Sequence, residues 1–211
     1  MTQAATYQLF ASRGRASMAP EALLEQMGVP YKLVELDPDP SRRPAAYRRV
    51  NPLGQLPTLV DGDATLYESA AICIHLCDRH PEAGMAPRIG TPERGRFYQW
   101  LFLLSNTLQP TYMLGFYPER FLEDPLGRTQ LRQNAEGRLP ALWRQIDAGL
   151  AASPFLSGRG PGAADVYLYM LSTWHREAIL PLASLAAVSR VLDATAALPG
   201  VQKMMDRNRG F

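Results

Sequence analysis

A chain of 211 residues, 46% hydrophobic and 20% charged, has an ordinary globular composition and is long enough for one large domain or two small ones. A formal net charge of +2 excludes the basic footprint of a nucleic-acid binder and any acidic tail. Two cysteines, Cys73 and Cys77, cannot build a disulfide framework, no stretch approaches the ~20 apolar residues of a membrane span, and the N-terminal MTQAATYQLFASRGR lacks the pattern of a signal peptide. A cytoplasmic protein with neither nucleic-acid nor membrane partners is expected.

The first third of the chain switches hydrophobic period repeatedly. Thr6–Ala11 reads as a short buried strand. Ser17–Gly28 reads as a helix with Ala19, Leu23, Leu24 and Met27 on one face and Gly28 as its stop. Tyr31–Leu36 alternates like a strand and runs into a Pro/Arg-rich loop at Asp37. Pro57–Val60 and Thr65–Tyr67 flank Asp61-Gly62-Asp63, a hairpin signal with the right turn chemistry. Glu68–Arg79 is again helical, ended by His80-Pro81. With a short helix before the hairpin, the order is β-α-β-α-β-β-α, a thioredoxin-like domain over residues 1–83, followed by a linker over 84–91. Beyond it strand signals stop. Pro92–Leu108, the region from Leu131 to Leu150 despite Pro140, Ala163–Glu177 and Leu182–Leu198 all carry helical spacing, so residues 92–211 are expected to form an all-α domain.

One segment carries recognisable chemistry. Gln55-Leu56-Pro57-Thr58 sets a proline at the start of a strand, which removes one ladder donor and, if its peptide bond is cis, exposes the preceding backbone N–H and C=O to an extended peptide. Ten residues on, Glu68-Ser69 opens a helix whose unpaired N–H groups and dipole favour a carboxylate, and Glu68 adds an acceptor for an ammonium. Together these anchors suit a small peptide with a free α-carboxylate.

The whole segment from Asn51 to Ser69 resembles the corresponding region of the cytosolic glutathione transferases, where a GQLP-type strand start precedes a DGD hairpin and an acidic-or-amide residue followed by serine. Ser12-Arg-Gly-Arg-Ala16 looks like the loop after strand one in the pi and sigma classes, Pro161–Leu168 is similar to the helix-opening segment of the C-terminal domain, and Pro199–Lys203 looks like the closing helix. The resemblance implies glutathione as co-substrate, no metal and a homodimer. It implies that Leu56 binds the cysteinyl backbone, that Glu68 and Ser69 hold the γ-glutamyl end, and that Gln55 and Pro57 support the site. Gly162 stands where the family has a hydroxyl N-cap, and Asp165 can still accept from the Gly162 N–H as half of a capping box.

Glutathione reacts as its thiolate, and a free thiol has a pKa of about 8.5, so an enzyme must stabilise S⁻ by donors, positive charge or a helix N-terminus. Here the chain departs from the family. The pi and sigma match puts Leu9 at the catalytic tyrosine position, Ala16 stands where the beta class carries cysteine, and Tyr7 lies one pleat repeat too far back. Ser12 is the best remaining hydroxyl, ahead of Ser17, with Arg13 and Arg15 supplying positive field or binding a glutathione carboxylate. Tyr112, Met113 and Phe116 are candidates for the pocket of an apolar, electrophilic second substrate. Tyr117 belongs to the same stretch, Trp174-His175 reads as packing, and Arg42 and Arg43 read as a solvated loop. Cys73 and Cys77 lack further ligands for zinc and read as small core residues. The expected activity is glutathione transfer, a detoxification chemistry. A non-catalytic glutathione-binding or regulatory protein and a glutathione-dependent isomerase or peroxidase are the alternatives.

Overall fold

A computed structural model describes residues 7–210. Thr6, the first residue of the expected opening strand, lies outside the described residues. Residues up to Met85 together with those from Ala196 onward make one compact unit, and Ala86–Thr195 make another.

In the first unit, strand β1 (Tyr7–Ala11) leads through a tight loop to helix α1 (Met18–Met27) and strand β2 (Tyr31–Glu35). Gly28 closes α1 with φ 66°, a left-handed conformation that a side chain disfavours. A single 3-10 turn at Pro40–Arg42 and helix α2 (Tyr47–Val50) precede strands β3 (Thr58–Asp61) and β4 (Ala64–Tyr67) and helix α3 (Ser69–Arg79). The sheet order is β2-β1-β3-β4, with β1 parallel to β2 and both remaining pairs antiparallel. Gly62, at φ 58°, turns the β3–β4 hairpin. Leu9 and Leu59 from the sheet, Ala22, Leu23 and Leu24 from α1, and Ile72, Cys73 and Leu76 from α3 are fully buried. Cys73 and Cys77 are therefore core side chains, and burial pushes the Cys73 thiol well up.

The second unit is helical. Its first helix, expected to end at Leu108, runs further: α4 (Pro92–Leu103) passes through a π-helical turn at Leu104–Leu108 into α5 (Gln109–Phe116). Pro110 explains the turn, because its missing N–H removes one i→i−4 bond and a π turn absorbs the defect without ending the helix. Helix α6 (Pro125–Leu150) starts six residues before Leu131, where Asp124 caps the Gly127 N–H at 2.5 Å, and it carries Pro140 internally. Helix α7 (Ala163–Ser172) stops short of Glu177. The expected helix at 182–198 is a 3-10 turn at Leu182–Ser184 followed by α8 (Ala186–Ala196). Asp165, fully buried, accepts from the backbone N–H groups of Gly162 at 3.0 Å, Leu156 at 2.8 Å and Ser157 at 3.1 Å.

The last helix, α9 (Pro199–Arg207), differs from the expected division in which residues 92–211 form one domain. It packs against α1 in the first unit, burying Val201 and Met204. Gly200 permits the approach: a Cβ there would stand 2.4 Å from the backbone nitrogen of Gln26, and the Gly200 N–H donates to the Gln26 side chain at 2.9 Å. Arg207 closes the joint by donating to Glu21 at 2.8 Å, Glu25 at 2.9 Å and the Tyr31 hydroxyl at 2.7 Å. A contact across most of the chain's length is invisible to local periodicity.

Removing Asp165 as Asp165→Ala strands three buried donors and should cost about 3 kcal/mol or more in chemical denaturation; a loss below about 1 kcal/mol contradicts the account. At Glu21, burial outweighs the attraction of Arg207 and pushes the carboxyl up to about 7. The folded state then holds a proton that the unfolded chain releases, so this group's contribution is fully present below about pH 4.5 and is lost as pH rises through 7. Thermal melts from pH 5 to 8 should show falling stability that Glu21→Gln flattens, and parallel profiles for the two proteins refute this.

Candidate functional site

Strand register gathers the candidate residues at one end of the sheet. In the antiparallel β1–β3 pair Phe10 faces Thr58, so the end of β1 and Ser12 lie beside Pro57 and Leu56. In the β3–β4 pair Thr58 faces Tyr67, which brings Glu68 and Ser69 to that same end. The N-termini of α1 and α3 follow directly from these strand ends, so two helix dipoles present their positive poles there.

The Leu56–Pro57 peptide bond is cis. Pro57 and Thr58 are buried, Leu56 is half-buried and Gln55 is exposed. Among the described residues neither the N–H nor the C=O of Leu56 enters a backbone hydrogen bond, which leaves both to an extended ligand. A buried polar cluster holds this loop from behind. Tyr47 donates to the Gln55 carbonyl at 2.5 Å and shares a 2.7 Å bond with the Thr58 hydroxyl. The Asn51 amide donates at 3.0 Å to both the Gln55 carbonyl and the Thr58 hydroxyl, and Arg43 donates to the Gly54 carbonyl at 2.6 Å. Burial pushes the Tyr47 phenol up, so it remains a donor. Sequence reasoning missed Tyr47 and read Arg43 as a solvated loop residue. The signal for Tyr47 was slight: one aromatic residue between Ala46 and two arginines, whose role depends on a partner eight residues away.

Glu68 is the one non-glycine residue among those described with positive φ, at φ 71° and ψ 109°. Such a conformation costs on the order of 1–3 kcal/mol in an L-residue and persists where the surroundings impose it. Glu68 is exposed, whereas Ser69, first residue of α3, is buried.

In the loop after β1, Ser12 is buried at 3% exposure and its backbone is locked onto Ser17: its N–H donates to the Ser17 hydroxyl at 3.2 Å, and that hydroxyl donates back to the Ser12 carbonyl at 2.9 Å. Ser17 is thus a brace for the loop. Arg13 pairs with Glu35 at 2.9 Å, both side chains about half exposed, and Arg15 is half-buried. Leu9 is fully buried. Tyr7 sits at the opposite end of β1, bonded to His80 at 3.0 Å.

Within the helical unit, Tyr112 is buried and its hydroxyl is engaged. Trp143 Nε1 donates to it at 2.8 Å, and it lies 2.8 Å from His175 Nδ1. His175 Nε2 faces the Leu180 carbonyl at 2.8 Å, which can only accept, so Nε2 carries the proton and Nδ1 accepts from Tyr112. Burial lowers the His175 pKa and keeps it neutral. Phe116, 39% exposed, stacks on Tyr112 at 5.7 Å, and with Trp174 and Ile179 both line a shallow hollow that the paired Glu136 and Arg176 also border. Met113 is half-buried and lies outside that lining.

Among the described residues no group of three or more His, Cys, Asp or Glu is placed to hold a metal, and no helix is long and apolar enough to cross a membrane.

The chain resembles known proteins in sequence and in fold. Residues 17–79 match the model of the glutathione S-transferase N-terminal domain. The chain is 30% identical over 199 residues to YncG, an uncharacterised GST-like protein of Escherichia coli K12, covering 92% of this chain and 95% of that one. A glutathione S-transferase from Xylella fastidiosa superposes with a TM-score of 0.85 at 28% identity, covering 96% of this chain and 98% of its own. A sphingomonad glutathione S-transferase complexed with glutathione superposes at 0.82 with 25% identity, covering 97% and 100%. With its thioredoxin-like sheet, its helical second unit and a full-length relative at this identity, the chain belongs to the glutathione transferase family.

Proposed function

We propose that this protein binds glutathione along the Leu56 edge and the N-terminus of α3, and stabilises its thiolate for attack on an apolar electrophile. The observation that carries the reading is the strand register, which unites the free Leu56 backbone, the strained Glu68 and the start of α3 at one sheet end. Leu56 pairs with the cysteinyl backbone as an added strand would. Glu68 accepts from the γ-glutamyl ammonium, and Ser69 with the helix dipole holds its carboxylate. Gln55 and Pro57 shape the edge. The similar sphingomonad structure contains glutathione, which supports the choice of ligand.

The sulfur, placed by its own backbone, then lies beside the loop after β1. Ser12 is the hydroxyl available as its donor, and Arg13 and Arg15 add positive potential or bind the glycine carboxylate. The thiolate forms a C–S bond to the electrophilic carbon, and the displaced electron pair leaves with the leaving group or moves onto the activated neighbouring atom. Phe116 and Met113, with the Tyr112 ring behind them, are assigned to the apolar second substrate. The reading extends to a cytoplasmic homodimer with a detoxifying role.

A second reading is supported by one observation. Leu9, Ala16 and the burial of Ser12 leave little exposed hydroxyl or thiol in the loop, which suits a protein that binds glutathione without activating it. The ultraviolet absorbance of bound thiolate separates the two. Ser12→Ala should raise the pKa of bound glutathione by about one unit, since a hydrogen bond to a charged group contributes about 1.5–3 kcal/mol, and leave its affinity nearly unchanged. An unshifted thiol pKa in the parent protein refutes activation and leaves binding intact. For binding itself, Glu68→Ala should weaken glutathione affinity about tenfold or more by calorimetry. Tyr47→Phe should weaken it severalfold while lowering the melting temperature, because Gln55 loses a buried donor. Full affinity in Glu68→Ala would reject the assigned site.

A further inference from the structure

Gly14 lies at the centre of the loop that the proposed function makes responsible for the sulfur, between Arg13 and Arg15, with φ 65°. No side chain of its own can steer it. Its N–H donates instead to the Oδ1 of Asn208 at 2.9 Å, a residue 194 positions away at the end of α9. Asn208 is buried, and its amide nitrogen donates to the Met204 carbonyl at 2.8 Å. The amide therefore has a single orientation, because its nitrogen faces the Met204 carbonyl and only its oxygen can accept from the Gly14 N–H. Behind it stands a rigid joint: Arg207 ties α9 to Glu21 and Glu25 on α1, and Gly200 seats the other end of the helix against Gln26.

We infer that Asn208 is a positioning residue for the glutathione thiol, acting through Gly14 to fix the loop of Ser12, Arg13 and Arg15. The inference rests on the glutathione-site reading above. Two independent braces then hold the loop: Ser17 pins Ser12 at the strand end, and Asn208 pins Gly14 at the bend. The backbone that carries Arg13 and Arg15 is held between them, and the Arg13 side chain is also paired with Glu35. The arrangement makes the chain's last helix part of the site although none of its residues need touch the ligand.

The test compares Asn208→Ala with Asn208→Asp in the full-length protein. Both variants lose the donor bond to Met204, so both should lose stability. Only Asn208→Ala also loses the acceptor for Gly14. Amide hydrogen exchange at Gly14 should accelerate about tenfold or more in the alanine variant and stay close to the parent rate in the aspartate variant. Glutathione affinity and the pKa of the bound thiol should follow the same pattern, with affinity about fivefold weaker in Asn208→Ala and restored in Asn208→Asp. If affinity and thiol pKa instead track melting temperature in both variants, Asn208 is a structural residue only and the inference is overturned. If Gly14 exchange responds as expected while glutathione binding is unchanged, the tether exists but positions nothing, which also overturns it. A parent protein that binds no glutathione removes the site reading itself, and the inference with it.

Discussion

The antiparallel pairing of β3 with β1 is the constraint on which this site depends. Two parallel strands joined through a helix place a loop and a helix N-terminus at the carboxyl end of β1, but nothing else is brought there. Reversing the next strand places its beginning, Leu56-Pro57, at that same end, and the hairpin that follows returns Glu68 and the start of α3 to it. A peptide-pairing edge, a carboxylate-binding helix terminus and the loop for the sulfur thereby converge without any residue reaching far. A one-residue slip in the Phe10–Thr58 register would turn every buried side chain of β3 outward, so the core packing of Leu59 also fixes the site.

Around this frame the polar groups divide into those that face a ligand and those that hold the frame still. Tyr47, Asn51, Arg43, Ser17 and Asn208 all spend their side chains on backbone groups of the two site loops. Fixed backbone suits a ligand that is itself a peptide, since the geometry of strand-like pairing tolerates little error and loop ordering on binding would consume affinity. Glu68 is the exception, held in a conformation that its own chemistry disfavours. Its strain is local and its surroundings are stiff, which is the combination expected where the position of one carboxylate matters.

The helical unit illustrates a different use of polar groups. The chain from Trp143 through Tyr112 to His175 and the Leu180 carbonyl has its donors and acceptors matched in one direction. Such a network specifies how α5, α6 and the segment after α7 meet. It also means that Tyr112 contributes a ring face to its neighbourhood while its hydroxyl is occupied.

Much of this was legible in the sequence, for reasons that can be named. Strand and helix periods, the Gly28 stop, the Asp61-Gly62-Asp63 turn and the Gly162–Asp165 cap are local, and each is encoded within a few residues of where it acts. The segment from Asn51 to Ser69 was legible because its two anchors are properties of backbone and helix ends, which need only a proline, a turn and a helix start in order. Tertiary structure alone decided the rest. It alone could show that α9 belongs with α1, since that depends on Gly200 meeting Gln26 and on Arg207 meeting Glu21 from the far end of the chain. It alone could show that Pro110 bends the register of a helix without ending it, because neighbouring helices supply the packing that a lone helix would lack. The bond from Asn208 to Gly14 lies furthest from sequence reading: an asparagine and a glycine carry no mutual signal, and only folding brings them to 2.9 Å.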